Sequence, residues 1–172
     1  MRAFRITPPL EWRQTGTWKT AYDLYSAGEA VGALRSRSAW SNDMIFTTAD
    51  REWLFKKSGF WRTRVTIRER DASADLAVFH ANKWDFGGRL ELGPGRHYQV
   101  EPHPWKSNIE VKPSDSPTAV VTVKLRGFFR STAEVILHPS VESLPEVPVL
   151  VAFPFYQLMD AQRTSAIAVA AT

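Results

Sequence analysis

The chain contains no cysteine. That excludes a disulfide framework, a thiolate metal site, a thiol nucleophile and a palmitoylation anchor. It also lacks an apolar run of the roughly 20 residues that a transmembrane helix needs. The longest candidate, near the C-terminus, is interrupted by Pro148 and Pro154. The start, MRAFRITPPLEWRQ, has no signal-peptide core, so export is not expected and the expected location is the cytoplasm. Low-complexity tracts, fixed-period repeats and linker-like shifts in composition are missing too.

What the chain does have is enough apolar matter for a core. At 172 residues, with 44% hydrophobic and 12% aromatic side chains, it suits one globular domain, taken as residues 1–172. The net charge of +4 is modest but unevenly spread. Residues 51–70 carry Arg51, Lys56, Lys57, Arg62, Arg64, Arg68 and Arg70 against Glu52 and Glu69, a local +5. Concentrated charge speaks to partners and field rather than to fold.

Alternation of apolar and polar residues recurs from residue 2 to about 142, punctuated by turn signals. RAFRIT at 2–7 reads as the first strand. TAYDLYS (20–26) and AVGALRS (30–36) flank Gly28-Glu29, and MIFTT (44–48) and EWLFKK (52–57) flank Ala49-Asp50-Arg51. WRTRVTIRER at 61–70 is the longest alternation, and ADLAVFH at 74–80 follows it. Dense glycine and proline then separate RLEL, HYQVE, SNIEVK, AVVTVKLR and TAEVILH. Twelve strands result, rich in residues that suit a pleated, half-buried surface.

The segment from Val147 breaks this period. Stepped at about 100° per residue, Val147, Val149, Leu150, Val151, Phe153 and Tyr156 cover every side of a helix, which is expected to be buried all round over about residues 146–162. Ser143 and Glu146 have capping-box spacing, and Pro148 suits a first turn. Pro154 opposes the helix, because an interior proline costs about 3 kcal/mol. A buried strand is the alternative for this run.

Strand number connects the two parts. A barrel of about eight strands fills itself with side chains, whereas twelve leave a lumen. A helix is about 10–12 Å across with its side chains, a suitable plug. The expected fold is all-β: a closed twelve-stranded antiparallel barrel enclosing a central hydrophobic C-terminal α-helix. An open lipocalin-like barrel holding a small apolar ligand is the alternative, but its helix should be amphipathic and packed outside.

This element order, the glycine-containing hairpins read at Gly32 to Leu34 and Gly59 to Arg62, and the closing VPVLVAFPFYQLMD resemble the tubby C-terminal-like β-barrels. That superfamily includes tubby domains, phospholipid scramblases, LURP-one-related proteins and small bacterial relatives, and the resemblance covers residues 1 to about 165. It implies a twelve-stranded barrel around a hydrophobic C-terminal helix. The cysteine-rich segment and proline-rich leader of animal scramblases have no counterpart here, so lipid scrambling is not expected.

In WRTRVTIRER, Arg62, Arg64, Arg68 and Arg70 alternate with Trp61, Thr63, Val65 and Ile67, so one strand face is cationic and lies outside. With Lys56 and Lys57 these arginines are the candidate lipid- or phosphate-binding residues. Tubby domains bind phosphoinositide headgroups through basic side chains, and this face resembles such a patch in character. The competing reading is a solvated face with arginines paired to acids across strands. Single-stranded nucleic acid stacked on Trp53, Phe60 or Trp61 is disfavoured, because Trp61 falls on the face opposite the arginines.

No catalytic residue, cofactor site or metal site is expected. His80, His97, His103 and His138 match no metal spacing, and His97 and His103 are expected in exposed loops. Asp85-Phe86-Gly87 copies a kinase triplet without the surrounding signatures. Seven tryptophans invite a carbohydrate reading, against which stands their ordinary use as core and hairpin anchors. The sequence therefore predicts a non-enzymatic binding or scaffold protein that docks reversibly, through the basic strand face, to an anionic phospholipid or phosphoinositide surface or to another phosphorylated partner. A small-ligand barrel, or an enzyme with a site assembled from loops, is the alternative.

Overall fold

A computed structural model describes residues 4, 6–16, 21–38, 43–59, 63–82, 87–126 and 132–170, with side chains described as far as residue 163. The strands are β1 (Leu10–Gln14), β2 (Ala21–Ser26), β3 (Glu29–Ser36), β4 (Met44–Thr48), β5 (Glu52–Ser58) and β6 (Arg64–Glu69). Then follow β7 (Ala77–Ala81), β8 (Gly88–Leu92), β9 (His97–His103), β10 (Asn108–Pro113), β11 (Val121–Arg126) and β12 (Thr132–Leu137). Helix α1 spans Val147–Ala170. Each strand pairs antiparallel with the next, and β12 closes on β1 at Leu10↔Val135 and Trp12↔Ala133. The expected closed barrel of twelve strands with a C-terminal helix inside it is the observed fold.

Period-two patterning decides which side chains fill it. Trp12, Tyr22, Leu24, Phe46, Trp53, Phe55, Ile67, Phe79 and Val123 alternate with less buried, outward-facing neighbours and are all buried. They leave an axial space that α1 occupies. From Val149 to Tyr156 every described helix side chain is at least nearly inaccessible. Phe155 stacks on Trp12 at 4.6 Å between ring centroids and meets Tyr22 edge-on at 5.0 Å. Phe153 packs on Phe79, and Tyr156 meets Phe55 edge-on. The helix is thus the centre of the core, and the open-barrel alternative does not apply.

Pro154 does not end the helix. Its missing N–H costs the Leu150 carbonyl its helical donor, but a break there would expose the apolar residues on both sides of it. The helix also runs further than expected, to Ala170. Its start is set by Glu146, whose carbonyl accepts from the N–H groups of Val149 and Leu150 at 2.9 and 3.0 Å. Ser143 is exposed, so the expected capping box gives way to a buried Glu146 paired with Arg96.

The first strand also differs from expectation. Of RAFRIT only Phe4, Ile6 and Thr7 are described and none is in a strand; the first described strand is LEWRQ at Leu10–Gln14. Pro8 and Pro9 carry no N–H for a ladder. Thr7 instead exchanges hydrogen bonds with the Ser26 hydroxyl, at 2.8 and 3.0 Å, while Phe4 and Ile6 pack on the core. Gly32 lies within β3 rather than in a hairpin turn, and a Cβ there would strike the Phe46 ring.

An all-meander barrel sorts its connections by end. Alternate connections share an end, because each strand reverses direction. At the entry end, where α1 begins, lie the β2–β3, β4–β5, β6–β7, β8–β9 and β10–β11 turns and the descent from β12. At the exit end lie the other six. There Asp160 of α1 meets Lys57 near the end of β5, and Arg163 reaches Met44 at the start of β4.

Candidate functional site

The predicted basic residues divide on inspection of β5 and β6. Arg64 and Arg68 project outward from β6 on either side of buried Val65 and Ile67, as the alternation requires. Lys56 projects outward from β5, but Lys57 shares the inward parity of Trp53 and Phe55. Its amine donates to Asp160 at 2.6 Å, tying the barrel rim to the helix rather than extending the cationic face. Arg68 pairs with Asp75 at 2.9 Å, and Arg70 with Glu52 at 3.3 Å. Arg62 lies outside the described residues, as do Phe60 and Trp61.

What remains is a smaller feature. Among the described residues Lys56 and Arg64 are exposed and have no ion-pair partner. Register places Arg64 opposite His80 and His80 opposite Arg89, an outward row across three strands near the exit end. Arg89 pairs with Glu91 at 3.4 Å. The paired Arg68 and Arg70 lie toward the entry end.

A second polar cluster escaped the sequence reading. His97 and His103 are the two ends of β9, not loop residues. Register sets Glu101 opposite Glu110, with His103 two residues along the same face. One ligand atom from each lies within 4.8 Å of the others, the reach of a metal site. The place a cation would take is served by Lys112, whose amine lies 2.6 Å from Glu101 and 3.2 Å from Glu110. His103 Nε2 stands 3.4 Å from Glu110, close enough for charge attraction but outside hydrogen-bond geometry. Hydrogen bonding to Glu101 raises the Lys112 pKa. Partial burial pushes Glu110 upward, but Lys112 and His103 together hold it below the ordinary carboxylate value. The cluster works as an ion-paired brace between β9 and β10.

Other features are equally structural. His138 Nδ1 lies 2.9 Å from the Ser140 hydroxyl, a spacing that suggests a base and nucleophile. The same nitrogen accepts from the Ser140 backbone N–H at 3.2 Å, so the imidazole caps the short 3₁₀ turn 139–141. A hollow of about 270 Å³ at the entry end is lined by Asp50, Arg51, Glu52, Glu69 and Arg70. A groove of about 380 Å³ separates Ile6, Pro8 and Pro9 from β12, beside half-exposed Ile136. Asp85 and Phe86 of the kinase-like triplet lie outside the described residues.

No family model, curated protein or solved structure matches this chain. Function must therefore be argued from its own geometry.

The tryptophans give the most informative division. Trp12 and Trp53 are buried in the lumen, each with an indole N–H that has no hydrogen-bond partner among the described residues. Trp105 is fully exposed on the 3₁₀ turn 104–106 between β9 and β10, beside exposed Lys106. Trp18, Trp40, Trp61 and Trp84 lie outside the described residues. Alternation alone could have separated the inward pair from the rest, since Trp12 and Trp53 sit at strand positions whose neighbours are polar or outward-facing.

Proposed function

We propose that this protein is a non-enzymatic binding or scaffold module that recognises its partner with the outside of the barrel, docking peripherally and reversibly at the anionic phospholipid surface facing the cytoplasm. The observation that carries the outside-only part is the filled lumen: Val149, Leu150, Val151, Phe153 and Phe155 take the space in which a ligand-binding barrel keeps its ligand. The lipid part rests on Lys56 and Arg64, cations exposed near one end without compensating acids among the described residues. The resemblance to the tubby C-terminal-like barrels supports the same reading, since tubby domains use basic side chains toward phosphoinositides. Arg68 and Arg70, already paired, contribute less than the sequence suggests.

Docking rather than crossing fits the rest of the surface. Among the described residues no helix is long and apolar enough to cross a membrane. The outward positions of the strands carry Arg13, Asp23, Arg35, Arg68 and Glu91, where a membrane-spanning barrel presents an apolar band. Each basic residue near an anionic surface contributes about 1 kcal/mol, so Lys56 and Arg64 together account for about thirtyfold in partitioning.

Liposome co-sedimentation across a salt series tests the proposal, with phosphatidylcholine, phosphatidylserine and phosphoinositide vesicles. The wild type should bind only the anionic vesicles and release with salt, and Lys56→Glu/Arg64→Glu should lose most of the binding. Salt-insensitive binding, or none, would sink the lipid reading.

A further inference from the structure

The two ends of the barrel differ in a way that the basic strand face does not explain. Strand direction determines which end each connection joins, whatever its conformation. The other five tryptophans, Trp18, Trp40, Trp61, Trp84 and Trp105, all fall in sequence between strands that are joined at the exit end. The sixth exit-end connection, between β11 and β12, holds Phe128-Phe129. Every one of the six also contains a lysine or arginine. The entry-end connections contain no tryptophan, phenylalanine or tyrosine and are acidic taken together, with Asp50, Asp71, Asp75, Asp115, Glu142 and Glu146 against Arg51, Arg70 and Arg96.

Only one exit-end tip, 104–107, is described throughout, and it shows what the pattern does. Trp105 is fully exposed while its neighbour Lys106 faces solvent too. A large indole left entirely in water contributes no packing to the barrel, so stability does not account for it. An aromatic ring beside an ammonium is the pairing that suits the headgroup layer of a bilayer, where the ring buries and the cation meets phosphate. Helix α1 leaves the barrel at this same end. After Arg163 its sequence, Thr164 to Thr172, carries no charged side chain.

We infer that the exit end is the membrane-docking face, and that the barrel stands on an anionic bilayer with Trp105 and Lys106 inserted among the headgroups. This inference rests on the lipid-docking function proposed above and deepens it by fixing the orientation. Position around the wall favours end-on over side-on contact. Trp105 lies between β9 and β10, whereas Arg64 begins β6, three strand spacings or about 14 Å away around the barrel. A side-on approach on β5 and β6 leaves Trp105 in water, while an end-on approach engages Lys56, Arg64, Lys106 and Trp105 together. The acidic entry end points away from the anionic surface, which the overall field favours.

The absence of cysteine makes the test clean, because a single introduced thiol carries the only label. An environment-sensitive fluorophore is placed at Trp105→Cys or, as the opposite-end control, at Asp115→Cys. Phosphatidylserine vesicles containing headgroup-region spin-labelled lipid should quench and blue-shift the probe at 105 and leave the probe at 115 unchanged. Separately, unlabelled Trp105→Ala should partition about tenfold more weakly than wild type, as expected for partial burial of an indole. Its melting temperature should not change, since the ring touches nothing in the barrel. If wild type binds the vesicles while the 105 probe stays in water, or Trp105→Ala binds as well as wild type, the end-on inference fails and the lipid-docking function survives. If wild type binds no anionic vesicle, both fail.

Discussion

The entry end and the exit end of this barrel are built from the same strands, yet one is fastened and the other is open. At the entry end the Glu146 carboxylate is almost wholly buried and paired with Arg96, and Arg51 donates to the Pro145 carbonyl at 3.0 Å. Arg68 and Arg70 are matched to Asp75 and Glu52. Tight turns at Gly28, Gly93 and Gly95 adopt positive φ, where a side chain is strained. At the exit end Lys57 pairs with Asp160, Arg37 with Asp43 and Arg126 with Glu134, but Lys56, Arg64, Lys106 and Trp105 are left to solvent. Charge that is spent on neighbours holds a fold, and charge without neighbours is available to a partner.

Between the ends runs α1, and its middle should tolerate least. Val151 is inaccessible and surrounded by barrel wall. Val151→Asp places a charge where no partner or water can reach it, a cost of several kcal/mol set against a total stability of about 5 to 15 kcal/mol. The expected outcome is loss of the cooperative melting transition in circular dichroism. A soluble variant that still melts sharply would mean that the lumen admits water, and the two ends would then have to be treated as loosely coupled.

The ends themselves can be compared by ion pair. Removing Arg96 leaves the Glu146 carboxylate, only 3% exposed, buried and unpaired. Arg96→Ala should cost about 3 kcal/mol, measured by urea unfolding. Removing Asp160 from its pair with Lys57 at the exit rim, where both side chains are about a quarter exposed, should cost no more than about 1 kcal/mol in the Asp160→Asn variant. Equal losses would erase the contrast between a fastened and an open end.

Much of this architecture was readable from residue pattern. The plug was legible because Val147 to Tyr156 leaves no polar side for a surface helix, and a twelve-strand count demands a filling. β1 was expected earlier because RAFRIT alternates convincingly, whereas the first described strand starts only after Pro8 and Pro9, which carry no N–H for a ladder. Lys57 was grouped with Lys56 as one basic run, although period two from Trp53 and Phe55 already turns it inward. The Glu101, His103, Glu110 and Lys112 brace needed the β9–β10 register, which no spacing along the chain reveals. The placing of the Trp105 turn at the exit end was available in principle, since a meander sends alternate connections to one end, but it requires knowing that every strand pairs with the next.

The smallest expected effect sits just inside the exit end and appears only with pH. Burial pushes the Tyr156 phenol well above its ordinary value of 10.0, and the nearby Asp160 and Asp43 carboxylates add to the shift while Arg163 opposes it. Burial raises Tyr22 and Tyr98 in the same direction. A phenol with a raised folded pKa binds its proton in the folded state at pH values where the unfolded chain has released it. The stability it contributes is therefore complete below about pH 10 and declines as pH rises above that, because unfolding then releases a proton. The Tyr156 hydroxyl is buried without a hydrogen-bond partner among the described residues, so Tyr156→Phe gives up no bond at neutral pH. Its stability at pH 7 should match wild type to within about 1 kcal/mol. Its alkaline unfolding midpoint should move to higher pH, followed by circular dichroism between pH 9 and 12. An unchanged midpoint would mean that solvent enters the exit end far enough to reach the phenol, and the open character of that end would extend into the core.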